Sequence, residues 1–356
     1  MTRRDIDHYT GCMLGGAAGD ALGAPVEFKS LEDIRSIYGP EGVTGMEDIG
    51  GRGGCSGVAL FTDDTQMTLF TAEGLLRADT RWNDRGLCNV PSVIHRSYLR
   101  WLLTQGTRVE DPEFDIEDGW LIGLAPLHEQ RSPGLTCISA LASGKVGTIE
   151  EPINNSKGCG GVMRVAPVGL FANQATAFEL GCQAAAITHG HPSGYLSAGF
   201  QSSMIHLIIE GRSLDDAIDI SLDALQQFPG HEEARDAVER AVTLGKDPSM
   251  PRDALTVESL GHGWVAEEAL SIALFCALAY EDDFASGVCM AVNHGGDSDS
   301  TGAMTGNILG ALNGVEAIPP SWIEGLELRR EIETLAGDLL TGYRGGSDWW
   351  DKYPGY

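Results

Sequence analysis

Two short acidic clusters carry the clearest chemical signal in this chain. Thr62-Asp63-Asp64 and Asp297-Ser298-Asp299-Ser300 lie more than two hundred positions apart, and each opens a helical pattern. Their carboxylates and hydroxyls offer only hard oxygen ligands, which suit Mg²⁺, Mn²⁺ or Ca²⁺ rather than zinc. Folded together, the clusters would hold two divalent ions about 3.5–4 Å apart, a spacing used in metal-assisted hydrolysis. The pattern therefore indicates an enzyme.

Acidic residues at helix N-termini also have a purely structural explanation. They cap free backbone amides and complement the helix dipole, so a lone Asp-Asp pair needs no other cause. Here the acidic pattern occurs twice with hydroxyls beside it, and adjacent carboxylates raise one another's pKa unless a cation intervenes. This duplication favours a metal site over capping alone.

The elements that must position the clusters have helical patterns. Within residues 9–24, glycines recur every fourth position, and Gly302, Gly306 and Gly310 repeat that spacing after the second cluster. Because an interior glycine costs about 1 kcal/mol relative to alanine, these two stripes predict close helix–helix packing. We predict one all-α domain, 1–356, whose first and last thirds meet at the site. Further helices are predicted at 91–104, 117–129, 135–143, 174–187, 193–210, 213–227, 231–244, 264–280, 284–292, 300–312 and 323–341.

Three further segments lie outside the acidic clusters. Residues 39–61 are rich in glycine and predict a lid-like loop. Residues 156–161 read SKGCGG, and their glycines would let backbone amides turn toward phosphate oxygens, although no Walker or GxGxxG pattern is present. His189 and His191 lack a third soft ligand nearby, so hydrogen-bonding roles are favoured over zinc.

Composition excludes several classes of partner. The formal charge of −27 argues against nucleic acid and against an anionic membrane surface. The eight cysteines form no CxxC pair, which argues against structural zinc and a disulfide scaffold. The first residues contain no signal-peptide pattern, and no apolar run is long enough to span a bilayer. We therefore expect a cytoplasmic protein.

In this order, the motifs resemble the ADP-ribosylglycohydrolase family, which includes the dinitrogenase reductase-activating glycohydrolase and the ADP-ribosylarginine hydrolases. The resemblance covers nearly the whole chain. It is carried by GGAAGDALGAPVE at 15–27, FTDDTQM at 61–67, GCGGVMR at 158–164, THGHP at 188–192 and GGDSDSTG at 295–302.

The resemblance implies a single-domain orthogonal helical bundle with a binuclear Mg²⁺ cleft, in which Mn²⁺ is an alternative ion. Glu27 would lie beside the metals, and the base candidates are Glu27, Asp63 and Asp64. The 155–161 loop would bind the diphosphate and adenosine, and His189 would lie near the ribose or phosphate. The implied metal ligands are Thr62, Asp63, Asp64, Asp297, Asp299 and Ser300. The implied substrate contacts are Asn155, Ser156, Lys157, Gly158, Cys159, Gly160, Gly161, His189, Gly263 and Trp264.

The predicted reaction is hydrolysis of the N-glycosidic bond between ADP-ribose and a protein arginine. The segment 189–196 and the Asp-Ser-Asp-Ser run look more like arginine-specific than serine-specific hydrolases, and an acidic cleft suits a guanidinium. The expected partners are an ADP-ribosylated protein, ADP-ribose and a cognate ADP-ribosyltransferase. One departure concerns Thr136-Cys137-Ile138-Ser139, because nitrogenase-reactivating members carry an acidic residue where this chain has Ser139.

Other functions stay open at this point. The chain could hydrolyse a serine-linked or ester-linked ADP-ribose, or it could be a catalytically silent family member that acts as a binding, immunity or structural protein. A terpenoid-synthase-like lyase is disfavoured, because Thr65-Gln66-Met67 after the first Asp pair lacks the third acidic residue that such enzymes use.

Overall fold

A computed structural model describes residues 2–49, 58–109 and 116–355. In that part of the chain the architecture is a set of eighteen α-helices joined by short turns. The helices are α1 Ile6–Gly23, α2 Leu31–Tyr38, α3 Met46–Ile49, α4 Asp63–Arg85, α5 Val90–Thr104, α6 Leu135–Ala142, α7 Ala166–Phe171, α8 Ala177–Ala186, α9 Pro192–Ile209, α10 Leu214–Leu225, α11 Glu232–Lys246, α12 Ala254–Ser259, α13 Ala266–Ala279, α14 Phe284–Val292, α15 Ser298–Asn313, α16 Pro320–Glu324, α17 Arg329–Thr341 and α18 Ser347–Lys352.

The all-α prediction is confirmed. Across the described ranges, β structure is limited to two isolated bridges, Ala59 with Leu326 and Gly158 with Val265. None of the described helices is long and apolar enough to cross a membrane. Residues 50–57 of the predicted lid-like loop lie outside the described residues.

The glycine stripes pack against each other, as their spacing predicts. α1 lies along α15 with Gly11 facing Gly310, Gly15 facing Gly306 and Gly19 facing Gly302. A methyl group on Gly302 would lie only 2.5 Å from the carbonyl oxygen of Gly19, so the two backbones touch. This contact, which we call the glycine seam, fixes α15 relative to α1.

Four helices are buried on most of their faces. α9 and α13 are buried on nearly all sides, which explains why their sequences show little helical amphipathicity. α1 and α15 lie beside them, also buried on most faces. α15, which carries the second acidic cluster, is therefore held by packing along nearly its whole length.

Two helix predictions were wrong in detail. The segment 117–129 forms two short 3₁₀ turns, Leu121–Gly123 and Ala125–His128, because Gly119 has a left-handed φ of 96° and Pro126 offers no amide donor. The predicted helix 323–341 is split into α16 and α17, and Leu328 between them has a φ of 50°.

Candidate active site

The first acidic cluster starts α4. Thr62 is the N-cap, and its hydroxyl accepts a hydrogen bond from the Asp64 amide at 3.3 Å. Asp63 and Asp64 follow in the first turn, and both are buried. Asp63 Oδ2 accepts a hydrogen bond from the Gly134 amide at 3.2 Å, whereas Asp64 Oδ2 has no hydrogen-bond partner in the described part of the chain. One buried carboxylate oxygen is therefore left without a compensating proton donor.

Asp20 holds this turn in place, and sequence reasoning missed it as a site residue. It is fully buried near the end of α1, and its oxygens accept from the amides of Thr62 at 2.8 Å and Thr65 at 2.9 Å. The Thr65 hydroxyl donates to Asp20 Oδ2 at 2.6 Å. Asp20 thus ties the N-terminus of α4 to α1. Its signal was the acidic residue within the glycine stripe, beside Gly19.

The second cluster starts α15 and is positioned by the glycine seam. A methyl group on Gly23, at the end of α1, would overlap the backbone of Ser298. The Asp297 amide donates to the carbonyl of His262 at 2.8 Å. Asp297, Asp299 and Ser300 are all buried. The last turn of α1 therefore touches the second cluster through Gly23 and the first through Asp20.

The structure brings the two clusters and Glu27 together. One carboxylate oxygen from each of Glu27, Asp297 and Asp299 lies within 4.8 Å of the others. Burial raises the pKa of Asp64 well above its usual range, and the negative charge of Asp299 raises it further. The side chain of Asp299 also forms a hydrogen bond with Thr62, so the two acidic turns face each other.

The pKa values of the site show how unfavourable this crowding is for ionised carboxylates. Burial and then the charge of Asp299 raise the pKa of Glu27 to about 9 and that of Asp20 to about 7. Burial raises the pKa of Asp299 as well, while its side-chain hydrogen bonds with Asp297 and Thr62 lower it. All of these groups would ionise readily if a cation lay between them.

The donor set fits hard divalent cations. Every side chain that converges here offers oxygen, and the unpartnered Asp64 Oδ2 is the kind of buried group that a metal ion satisfies. The sulfur atoms of Cys159 and Met163 lie at the edge, 3.7 Å and 3.9 Å from the Ser300 hydroxyl. Burial raises the pKa of the Cys159 thiol well above the usual range, so it stays protonated, and it donates to Asp297 Oδ2 at 2.7 Å. The residues present can hold Mg²⁺ or Mn²⁺ without soft ligands.

The glycine-rich loop lies beside the second cluster. Cys159–Gly161 form one 3₁₀ turn, and the Cys159 amide donates to the Trp264 carbonyl at 3.2 Å. The Ala266 amide donates to the Lys157 carbonyl at 2.8 Å, which fixes the loop to the start of α13. Gly160 lies directly over His189, since a methyl group there would be 3.1 Å from His189 Cε1.

Asn155 and Lys157, two residues of the predicted substrate loop, differ in their contacts. Asn155 is exposed, whereas its neighbour Asn154 orders the loop by accepting from the amides of Ser156 at 3.0 Å and Gly190 at 3.2 Å. The Lys157 ammonium forms ion pairs with Glu267 and, at 3.0 Å, with Glu233. The positive charge of Lys157 is therefore already paired with two carboxylates. Asn154 was not selected from the sequence because its role depends on a segment more than thirty residues away.

His189 is a buried, neutral hydrogen-bonding residue. Its Nδ1 lies 2.8 Å from the Thr188 hydroxyl, which in turn accepts from Arg164 at 2.7 Å. Burial, with a smaller effect from the Arg164 charge, lowers its pKa to about 3. His191 caps α9 by accepting from the Ser193 amide at 3.1 Å. Both histidines have the hydrogen-bonding role that the sequence favoured over zinc binding.

Gly263 and Trp264 connect the loop to the second cluster. Gly263 has a φ of 81°, and a methyl group on it would lie 3.2 Å from Asp297 Cβ. The Trp264 ring is stacked on Phe28 with centroids 5.1 Å apart. Ser139 is exposed and donates to the Thr136 carbonyl within its own helix at 3.3 Å. It therefore takes no part in the site.

This fold and site define a class of all-α proteins with a buried, oxygen-rich acidic cleft. The family model for ADP-ribosylglycohydrolase matches residues 1–348. The chain belongs to this family of hydrolases, which act on ADP-ribosylated proteins or ADP-ribose substrates.

Relatives and a solved structure match over nearly the whole chain. ADP-ribosylhydrolase ARH3 of Bos taurus is 25% identical over 375 residues, covering 94% of this chain and 93% of its own. ADP-ribosylarginine hydrolase Tri1 of Pseudomonas putida is 24% identical, covering 94% and 78% respectively. A solved ADP-ribosylglycohydrolase-related protein complex has a TM-score of 0.66 at 28% identity, covering 96% of this chain and 98% of its own.

Proposed function

We propose that this protein hydrolyses the N-glycosidic bond between ADP-ribose and an arginine side chain of a modified protein, with two Mg²⁺ ions, or Mn²⁺, in its carboxylate cleft. The observation that carries this proposal is the convergence of Glu27, Asp297 and Asp299, whose carboxylate oxygens lie within 4.8 Å of one another. The first acidic cluster faces them, and the glycine-rich loop lies alongside.

The side chains divide into two groups in this proposal. Asp63, Asp64, Asp297 and Asp299, with the hydroxyls of Thr62 and Ser300, would hold the ions. When bound, the ions would supply Lewis-acid positioning of the ribose hydroxyls and of the attacking water. The amides of 158–161 would bind the diphosphate, since amides and cations are the sources of positive potential for an anion in so acidic a chain.

Glu27 is the proposed general base. It is only half-buried, whereas the aspartates around it are buried, so it can reach both solvent and substrate. Ionised Glu27 accepts a proton as the water oxygen attacks C1″ of the distal ribose. The bond from C1″ to the guanidine nitrogen breaks with its electron pair going to nitrogen, and the departing guanidine takes up the proton that Glu27 removed from the water, which leaves Glu27 ionised again. Nearby carboxylates stabilise the positive charge that develops at C1″.

The arginine linkage is supported by chemistry and by one relative. A guanidinium is drawn to crowded carboxylates, and the segment 189–196 resembles arginine-specific hydrolases. Tri1 is named as an ADP-ribosylarginine hydrolase, whereas the name ARH3 specifies no linkage. An arginine-specific ADP-ribosyltransferase would produce the substrate.

Two matched peptides test this proposal, one modified on arginine and one on serine, each incubated with Mg²⁺ or with EDTA. We expect ADP-ribose to be released mainly from the arginine peptide, and only with Mg²⁺. Faster release from the serine peptide would overturn the linkage. Release that EDTA leaves unchanged would overturn the metal requirement.

A further inference from the structure

Arg164 is a fully buried arginine that forms no ion pair with a carboxylate in the described part of the chain. Its guanidinium donates to the Ala184 carbonyl at 3.1 Å and lies over the Tyr98 ring, 4.2 Å from the ring centroid. Its other terminal nitrogen faces the sulfur atoms of Met67 and Cys137, both at 3.5 Å. Because burying an arginine without an anionic partner is energetically costly, its positive charge indicates a role beyond packing.

A chain of hydrogen bonds connects Arg164 to the histidine below the glycine-rich loop. Arg164 donates to the Thr188 hydroxyl at 2.7 Å, and this hydroxyl lies 2.8 Å from His189 Nδ1. The Ala185 carbonyl is a second acceptor for the hydroxyl, but at 3.5 Å it is too far for a good O–H···O bond. The hydroxyl proton of Thr188 is therefore directed to His189 Nδ1, which accepts it.

The hydrogen bond at Nδ1 decides which ring nitrogen of His189 carries the proton. Burial and then the Arg164 charge lower the pKa of His189 to about 3, so the ring is neutral at pH 7. A neutral imidazole has one donor and one acceptor nitrogen, so a ring that accepts at Nδ1 donates from Nε2. The positive charge of Arg164 lies on the Nδ1 side of the ring and disfavours a proton there.

His189 Nε2 faces the glycine-rich loop. A methyl group on Gly158 would lie 3.4 Å from Nε2, and one on Gly160 would lie 3.3 Å from it. Although His189 is only 1% exposed, Nε2 has no hydrogen-bond partner among the residues that the structure describes. A buried N–H group without an acceptor is unfavourable, so this nitrogen is suited to an acceptor that a ligand brings.

We propose that Arg164 is a positioning residue: acting through Thr188, it fixes His189 as the Nε2–H tautomer, which donates to a diphosphate oxygen of ADP-ribose. The identity of this anion rests on the proposed function. In a chain of net charge −27, a positive charge that no carboxylate neutralises also favours an anion at this place. The opposite tautomer would present the lone pair of Nε2 to the phosphate and repel it.

Nitrogen-15 NMR of protein with labelled histidines tests the tautomer, with the His189 signals assigned by their loss in His189→Gln. We expect an unprotonated Nδ1 and a protonated Nε2 in the wild-type protein. Thr188→Val removes only the hydroxyl and should raise the fraction of rings protonated at Nδ1, as should Arg164→Met. Thr188→Ser keeps the hydroxyl and should keep the wild-type spectrum. A wild-type ring protonated at Nδ1, or a tautomer that neither Thr188→Val nor Arg164→Met changes, would overturn the proposal.

Calorimetry of ADP-ribose binding in Mg²⁺ tests the consequence for the ligand. Thr188→Val should raise the Kd about tenfold, equivalent to about 1.4 kcal/mol, whereas Thr188→Ser should bind as tightly as the wild-type protein. Thr80→Val is the matched control, because Thr80 is also fully buried and its hydroxyl accepts from Trp349 Nε1 at 2.8 Å. This variant should lose stability but keep its affinity. Equal losses of affinity in Thr188→Val and Thr80→Val would contradict a specific role for the hydroxyl at 188.

A double-mutant cycle shows whether Thr188 acts through His189. In the His189→Gln background, Thr188→Val should weaken ADP-ribose binding no further, and additive losses would overturn the proposed chain of hydrogen bonds. If Arg164→Met does not fold, as circular dichroism would show, the Thr188 variants decide the question.

The outcomes also separate this inference from the proposed function. A wild-type protein that does not bind ADP-ribose would overturn the proposed function, and the tautomer of His189 in Thr188→Val would still decide the positioning role. Unchanged ADP-ribose affinity in Thr188→Val, together with normal hydrolysis of the arginine-modified peptide, would overturn this inference alone.

Discussion

The glycine seam runs along the helix pair α1 and α15, the carboxylate cleft lies at one end of that pair, and the two are built by opposite means. In the seam, side chains are absent and backbones touch, as at Gly11 and Gly310. In the cleft, charged side chains crowd together, and burial with mutual repulsion raises the pKa of Glu27 to about 9. The backbone contacts of the seam need no further partner, whereas the carboxylates of the cleft need a positive charge to offset their repulsion.

The packing of the glycine seam allows the carboxylates of the cleft to lie close together in the folded state. Crowded buried carboxylates push apart and would open a loosely packed fold. Here the backbone contact along α1 and α15 fixes the start of α15, and Asp20 fixes the start of α4. Rigid packing therefore holds an unfavourable charge arrangement at the place where ligands can satisfy it.

The largest expected effect concerns charge in the cleft. Asp299→Asn should lower the rate of ADP-ribose release by about a thousandfold, because metal-assisted charge stabilisation is worth several kcal/mol. Helical circular dichroism should stay unchanged, since the seam is untouched. Asp219→Asn, at an exposed position on α10, is the control and should keep full activity. Unfolding of Asp299→Asn would instead show that the cleft is structural.

The next effect concerns packing in the seam. Gly310→Ala would place a methyl group 2.5 Å from the carbonyl carbon of Gly11, and overpacking of this kind costs about 1–3 kcal/mol. Urea unfolding would measure the loss. Gly337→Ala on α17 is the matched control, because its methyl group would lie 3.7 Å from Ile6 Cδ1, an ordinary contact. Equal stability of both variants would contradict the account of the seam.

Asp20 joins the two regions, and its substitution should have an intermediate effect. Asp20→Asn turns one acceptor into a donor that must face the amide of Thr62 or Thr65, and a lost buried hydrogen bond costs about 1–3 kcal/mol. We expect lower stability together with a lower kcat, as the start of α4 shifts. Full activity in this variant would show that α4 is held without Asp20.

The smallest effect is a pH dependence of stability in chelator. The pKa of Glu27 is raised from 4.5 to about 9, so the folded state keeps a proton that the unfolded chain has lost. That contribution is fully present below pH 4.5 and is lost as pH rises through about 9. In EDTA, urea stability should therefore fall between pH 7 and 9, and less so in Glu27→Gln.

Saturating Mg²⁺ should reduce this pH dependence, because bound cations lower the pKa of the carboxylates. The fall in stability above pH 7 does not come from the buried His189. The pKa of His189 is lowered from 6.5 to about 3, so its protonation changes the stability only below pH 6.5. Stability that rises with pH in EDTA would contradict the account of the cleft.

Features that depend on residues close together in the sequence could be predicted. Both acidic clusters start helices as predicted, and the four-residue glycine spacing was enough to predict close packing. Asp20 and Asn154 were not predicted as site residues, because their roles depend on partners from distant segments, such as Thr65 and Gly190. The helix predicted at 117–129 failed because local turn chemistry at Gly119 and Pro126 outweighed the apolar pattern.

Counting bound Mn²⁺ by electron paramagnetic resonance tests the central claim most directly. We expect the wild-type protein and Asp219→Asn to bind two ions per chain, and Asp299→Asn to bind fewer, with ADP-ribose release following the number bound. Absence of bound Mn²⁺ in the wild-type protein, or equal binding by Asp299→Asn, would contradict the assignment of the cleft as a two-metal site.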